Sequence, residues 1–341
     1  MRAYLQRLSE RESLSQKEMK EVMEQILTDE ITDSEIAAFM VGLKTKGETV
    51  EEIVGIVEAL REKAMPFEAR IPNVIDNCGT GGDGSQSFNI STTSAFVMAG
   101  AGIRVAKHGN RSITSKTGSA DVLEYLGINW DLKPEESMEL LESIGITFLF
   151  APYVHPKIKR IMKVRRDLRI PTVFNLIGPL TNPVKLDSQL LGIYRRDLIE
   201  MFAEVLKILG RQKAVVLNGA GFMDEASLAG ENHLAVLENG VIYKQILNPK
   251  ELGFSIYGND AIRGGNAKEN SEILLHVLKG EKGAYRDTVL LNAGIGIFAN
   301  DAAATIDEGV KKAKESIDSG AALQKLEQLV EKSQSYKAEV I

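Results

Sequence analysis

The sequence predicts an α/β protein, with a small N-terminal helical domain and a large α/β domain whose mainly parallel central sheet is covered by helices. Three observations predict it. Helix-start signals and apolar stripes at helical spacing fill the first 65 residues. From Ile71 onward, short β-branched runs alternate with helical stretches, the pattern of a parallel sheet with crossover helices. The chain has 341 residues, 44% hydrophobic and 26% charged. At roughly 150 residues per domain that is about two domains, with apolar material enough for a sizeable core.

In the helical part, Ser15 and Glu18 have capping-box spacing, and Met19, Val22, Met23 and Ile26 follow on one face. Thr32 and Glu35 repeat the signal ahead of Ile36, Phe39, Met40 and Leu43, with Gly47 placed to stop the helix. Thr49 and Glu52 open a third helix through Ile53, Ile56, Val57 and Leu60, ended by Met65-Pro66. Three short helices joined by tight turns make a small bundle.

In the α/β part, strands are expected at Val74-Ile75, Ile103–Ala106, Thr147–Phe150, Leu190–Ile193 and Ala214–Leu217. Helices are expected at Thr92–Ala101, Ala120–Leu126, Pro134–Ile144 and Leu198–Leu209. His233–Leu237 and Val241–Ile246 flank Asn239-Gly240, a type I′ hairpin signal, so the sheet should end in an antiparallel piece. The chain is helical again from Ser271, and Asn175–Pro183 reads as an inter-domain crossing.

Composition narrows the function. Forty-one Lys and Arg against 47 Asp and Glu give a formal charge of −6, the wrong sign for a dedicated nucleic-acid binder. The single cysteine, Cys78, can form neither an internal disulfide nor a Cys-rich zinc site, which suits a reducing cytoplasm. The N-terminal segment is charged and lacks a signal-peptide core, and no long uncharged apolar run predicts a membrane span.

Four segments carry chemistry. The first is Asp76–Ser85, with glycines at 79, 81, 82 and 84 directly after a predicted strand. It is followed by Asn89-Ile90-Ser91-Thr92-Thr93 at the start of an apolar helix, whose N-terminal N–H groups suit phosphate. Gly79, Gly81 and Gly84 match G-x-G-x-x-G, but the next strand ends in Lys107-His108 and not in a ribose-binding acid, and no Walker lysine follows the glycines. The second is Lys107–Ser119, with Lys107, Arg111 and Lys116, His108 and five hydroxyl side chains, a composition suited to a polyanion. The third is Asp224-Glu225, hard oxygen ligands that could hold Mg²⁺ beside a diphosphate. The fourth is His155-Pro156 and the basic run to Arg166. On a helix, at most one of Arg165 and Arg166 should face a shared pocket, where an arginine is the natural partner of a carboxylate. No Ser-His-Asp order and no G-x-S-x-G elbow occurs. The residues alone therefore point to an enzyme acting on a phosphorylated, anionic substrate with Mg²⁺, with diphosphate as a fitting leaving group.

Taken together, Gly79–Gly84, Asn89–Thr92, Lys107–Ser112, Gly118–Glu124, His155-Pro156, Val164-Arg165-Arg166, Asn175–Pro183 and Asp224-Glu225 resemble the anthranilate phosphoribosyltransferase family along essentially the whole chain. The resemblance implies transfer of the phosphoribosyl group from phosphoribosyl diphosphate to the amine of anthranilate, in tryptophan biosynthesis. It implies a helical domain over residues 1–70 with a returning segment near 166–185, and an α/β domain over 71–165 and 186–341. By position, Gly79, Gly82, Asp83, Ser87, Asn89, Ile90, Ser91, Thr92, Lys107, His108, Gly109, Asn110, Arg111, Ser112, Ile113, Thr114, Ser115 and Ser119 should bind phosphoribosyl diphosphate. Gly79, Asn110 and Arg165 should contact anthranilate, and Ser91, Asp224 and Glu225 should hold Mg²⁺, two ions per subunit. Lys107 and His108 are the candidates for stabilising charge. A cytoplasmic homodimer is implied, with no nucleic-acid partner and no membrane. Departures from the family pattern include Ser87, Lys157, Arg169, Pro171 and Ala220, none of which removes an implied ligand.

An aryl amine is already nucleophilic, so rate should come from positioning and from stabilising an oxocarbenium-like sugar and the departing diphosphate. Domain closure about Met65–Ile71 and Asn175–Pro183 would exclude water. Two other readings remain at this level. A pyrimidine nucleoside phosphorylase of similar fold would show a Lys-His-Ser lead into the glycines, and a nucleic-acid-binding relative would need a basic face.

Overall fold

A computed structural model describes residues 1–28, 30–110 and 117–338. The chain begins with four helices, α1 (Arg2–Ser9), α2 (Gln16–Ile26), α3 (Asp33–Lys46) and α4 (Val50–Glu62). Ser15, Thr32 and Thr49 are the N-caps of α2, α3 and α4, each in a complete capping box, and Gly47 ends α3 with φ +91°. The sequence reading counted three helices. It missed α1, which carries no capping side chain and buries only Leu8.

The rest alternates: β1 (Val74–Asp76), α5 (Ile90–Gly100), β2 (Arg104–Gly109), α6 (Ser119–Tyr125), α7 (Pro134–Ser143), β3 (Ile146–Phe150), α8 (Ala151–Val154), α9 (Lys159–Leu168), β4 (Ser188–Gly192), α10 (Ile199–Ile208), β5 (Lys213–Asn218), β6 (Asn232–Glu238) and β7 (Val241–Leu247). Four helices close the chain: α11 (Ala267–Leu278), α12 (Ala284–Ala299), α13 (Ile306–Asp318) and α14 (Ala321–Ala338). The seven strands run in the order β3-β2-β1-β4-β5-β6-β7, parallel from β3 to β5 and antiparallel beyond. The β6–β7 turn places Asn239 and Gly240 at φ +51° and +76°, as a type I′ turn requires.

Strand alternation feeds two large cores and a smaller third one around Val74, Ala106 and Leu149. Val215, Leu217, Leu234 and Val236 pack on one face with α5 and α12, while Ala214, Val216, Ala235 and Leu237 pack on the other with α10 and the N-terminal helices. The second core also takes Ile161 and Val164 of α9 and Val173, Phe174, Leu176, Ile177 and Leu180 of the crossing segment. Asp33 of α3 pairs with Arg160 at 3.1 Å and Lys163 at 2.5 Å, fastening α9 to the bundle. Successive strands leave β1 in opposite directions, β2 to one side and β4 to the other. Their carboxyl ends diverge there and open a crevice.

Candidate active site

A cavity of about 360 Å³ lies at that crevice, between the loops that follow the parallel strands and the inner faces of α4 and α9. The loop after β1 starts under close constraint. Gly79 bridges to Gly192 at the end of β4, and Thr80 N–H donates to Gly192 C=O at 2.9 Å. A Cβ on Gly192 would stand 1.6 Å from the Asp224 carbonyl oxygen, so only glycine lets the β5–β6 loop lie across these strand ends. Gly81 N–H in turn donates to Asp224 Oδ2 at 2.6 Å. Asp83 Oδ1 accepts from Ser85 N–H and Oγ, and its Oδ2 from Asp224 N–H at 3.3 Å. Three carboxylates, Asp83, Asp224 and Glu225, thus gather from two loops.

Their charge is poorly compensated. Burial, with Asp83 and Glu225 close by, pushes the Asp224 carboxyl well above the usual range. Burial raises Glu225 to about 7, against the opposing pull of Lys107 and hydrogen bonds from Ser91. Buried carboxylates short of counter-charge suit a hard divalent cation. Among the described residues no group of three or more His, Cys, Asp or Glu side chains is placed to hold a metal ion. The set expected from the sequence, two carboxylates and the Ser91 hydroxyl, is smaller than that, and Mg²⁺ ordinarily completes such a set with substrate oxygens and water.

The α5 N-terminus faces the cavity with Asn89, Ile90, Ser91 and Thr92. On β2, Lys107 is buried at 2% exposure, and its charge acts on both Asp76 and Glu225. His108 beside it lies with Nδ1 at 3.2 Å from Gly178 C=O, and a carbonyl facing Nδ1 selects the Nδ1–H tautomer. Among the described residues its Nε2, like that of His155, is buried without a hydrogen-bond partner, and the two rings meet edge to face at 5.4 Å. Burial lowers His108 to about 3 and His155 to about 4, so both are neutral at pH 7. A neutral His108 lends no support to the expectation that it stabilises charge. Lys107 remains as the charged candidate.

Arg165 of α9 lines the cavity, whereas Arg166 is exposed, as the helical spacing requires. The Arg165 guanidinium donates to Met162 Sδ at 3.2 Å, and burial lowers its pKa. Every described residue named from the sequence lines this one cavity: Gly79, Gly82, Asp83, Ser87, Asn89, Ile90, Ser91, Thr92, Lys107, His108, Gly109, Asn110, Ser119, Arg165, Asp224 and Glu225. Arg111, Ser112, Ile113, Thr114 and Ser115 lie outside the described residues. Sequence reasoning noted His155-Pro156 as a motif but gave it no place in the site. It missed Phe174, and it gave no place in the site to Thr117 and Pro179, which lie inside segments it had singled out.

Residues 2–64 match a glycosyl transferase family's helical bundle domain, and residues 71–323 match its a/b domain. An anthranilate phosphoribosyltransferase of Bacillus mycoides (strain KBAB4) is 59% identical over 330 residues, 97% of each chain. The chain belongs to the anthranilate phosphoribosyltransferase family. The anthranilate phosphoribosyltransferase of Thermus thermophilus superposes with a TM-score of 0.92 at 38% identity, covering 97% of this chain and 99% of that one. The Saccharomyces cerevisiae anthranilate phosphoribosyltransferase, solved in complex with PRPP and Mg, superposes with a TM-score of 0.90 at 26% identity, covering 98% and 97%. The anthranilate phosphoribosyltransferase fold therefore accounts for both domains, and these relatives support neither the nucleoside phosphorylase nor the nucleic-acid-binding reading.

Proposed function

We propose that this chain transfers the 5-phosphoribosyl group of phosphoribosyl diphosphate to the amine of anthranilate, releasing diphosphate, as a step of tryptophan biosynthesis. The observation that carries this is the convergence of a phosphate-type helix N-terminus, the under-compensated Asp224-Glu225 pair and a desolvated arginine on one cavity. Ser91, Asp224 and Glu225 would hold Mg²⁺, which when bound supplies positive charge to the diphosphate. The Asn89–Thr92 turn and Lys107 bind the anionic donor and orient its C1. Lys107 also opposes the negative charge that grows on the leaving group. Asn110 and Gly79 bound the acceptor, and Arg165 pairs with its carboxylate through a bidentate fork. An aryl amine is already nucleophilic, so turning its lone pair toward C1 needs no strong base. The apolar walls from α4 and α9 exclude water that would otherwise hydrolyse the sugar.

Two metal ions per subunit, a homodimer and a cytoplasmic location form part of the same proposal. Among the described residues no helix is long and apolar enough to cross a membrane. The test is loss of anthranilate fluorescence on adding phosphoribosyl diphosphate and Mg²⁺, repeated with excess EDTA. Rapid loss that EDTA abolishes is the expected result. A folded, diphosphate-binding protein that leaves the fluorescence unchanged would overturn it. Metal titration and sedimentation test the ion count and the dimer.

A further inference from the structure

Asn89 stands at the N-cap of α5, a place where asparagine ordinarily accepts from the helix's own N–H groups. Here it makes no such bond. Its Oδ1 accepts instead from Asn270 Nδ2 at 2.8 Å, and Asn270, 2% exposed on α11, accepts at Oδ1 from Gly265 N–H at 2.7 Å. The chain of bonds has a fixed direction. A backbone N–H can only donate, so the Asn270 atom facing Gly265 is its oxygen, and the atom facing Asn89 is its amide nitrogen. Asn89 must then answer with its own oxygen, which leaves its two Nδ2 donors for the cavity it lines. The support is rigid. Phe88 N–H donates to Ile262 C=O and Gly264 N–H to Gln86 C=O. A Cβ on Gly264 would come within 2.7 Å of both Asn270 Oδ1 and Phe88 Cα. Gly265 C=O also accepts from Thr117 Oγ1 at 2.9 Å, so the same segment steadies the far end of the second loop.

We propose that Asn270 is a positioning residue that fixes the polarity of the Asn89 amide, so that Asn89 offers N–H donors, and not a carbonyl oxygen, to the oxygens of phosphoribosyl diphosphate. The inference rests on reading the cavity as the phosphoribosyl diphosphate site. It adds a residue remote from the cavity to the donor-binding machinery.

The probe is phosphoribosyl diphosphate with Mg²⁺ and no anthranilate, followed by calorimetry on the full chain. Asn270→Asp still accepts from Gly265 N–H but cannot donate to Asn89, so Asn89 turns its nitrogen toward Asp and its oxygen toward the cavity. The expected result is an affinity for phosphoribosyl diphosphate about tenfold weaker, or worse, with KM for it rising in step and KM for anthranilate within about twofold. Asn89→Asp reaches the same polarity without touching Asn270 and should lose as much, so it decides the matter if Asn270→Asp does not fold. In an Asn89→Ala background, Asn270→Asp should cost no further affinity, because the two residues act through one bond. Wild-type binding with both Asp variants within twofold of it, or an Asn270→Asp that only lowers the melting temperature, would overturn the inference alone. A wild-type protein that binds no phosphoribosyl diphosphate would overturn the reading of the site, and this inference with it.

Discussion

Asp224 and Gly81 are joined by a hydrogen bond of 2.6 Å between residues 143 apart in sequence. It ties the β5–β6 loop to the β1 loop at the point where the sheet's strand order reverses. Gly192, beneath both, is the spacer that permits the approach. Gly192→Ala should therefore push the Asp224-Glu225 turn outward. We expect activity to fall at least about a hundredfold, since displacements near 1 Å at a reacting centre cost that much. Overpacking of this kind costs roughly 1–3 kcal/mol of stability. Turnover and urea midpoints check it, and an alanine variant with near-wild-type turnover would show that Gly192 does not set the position of the turn.

The metal-free site should be a local source of instability. Asp224 has a raised carboxyl pKa in the fold, so its stabilising contribution is present below the unfolded value near 4 and is lost as pH rises through the folded value. At pH 8, far above the unfolded value, holding this carboxyl in the fold is a cost. Asp224→Asn keeps an acceptor for Gly81 and removes that cost. In EDTA it should melt about 2 °C or more above the wild type. With Mg²⁺ the order should reverse, because the wild type gains from binding and the variant does not. The same variant should lose most of its activity. Equal melting in EDTA would show that the carboxylates are compensated.

His108 and His155 should remain neutral across the working pH range. Burial depresses both, to about 3 and about 4, against an ordinary value near 6.5. In a carbon–proton correlation titration of the imidazoles, two of the four histidines should not shift between pH 8 and 5. The linkage sign follows. Between pH 6.5 and 4 the unfolded chain binds more protons at these positions, so their contribution to stability is complete above about 6.5 and declines as pH falls. His155→Phe should flatten that decline. Finding all four histidines titrating near 6.5 would mean that water reaches the buried pair.

How much of this was legible in the sequence depended on the kind of signal. Ser15, Thr32 and Thr49 announced helices because a cap is a local device, read from four adjacent residues. Helix α1 has no such device and depends on packing Leu8 against α3, so it was silent. The loops at Gly79 and Lys107 stood out by composition and do meet at one cavity. Sequence could not say that Asp83 would draw within 3.3 Å of the Asp224 N–H, that His155 would meet His108 edge to face, or that Asn270 would reach Asn89 from 181 positions away. Those relationships exist only after the sheet has closed. The neutrality of His108 belongs with them, because burial is its main cause.

Arg165 gives the sharpest separation of the two substrates. Its side chain is partly buried, and burial alone lowers its pKa. Among the described ion pairs it has no carboxylate partner, although Arg160 on the same helix does. A desolvated cation without a counter-charge is costly unless a ligand supplies one, and the acceptor's carboxylate is of the right kind. Arg165→Met keeps the length and removes the fork. We expect KM for anthranilate to rise by about ten- to a hundredfold, as for the loss of a charged hydrogen-bonded partner. KM for phosphoribosyl diphosphate should stay within about twofold, and stability should hold or improve, because a buried charge has gone. Lysine at this position should recover part of the loss as a point charge without the bidentate geometry. Steady-state kinetics with each substrate varied in turn checks the split. A variant that loses phosphoribosyl diphosphate binding and keeps anthranilate binding would move Arg165 to the donor side of the cavity.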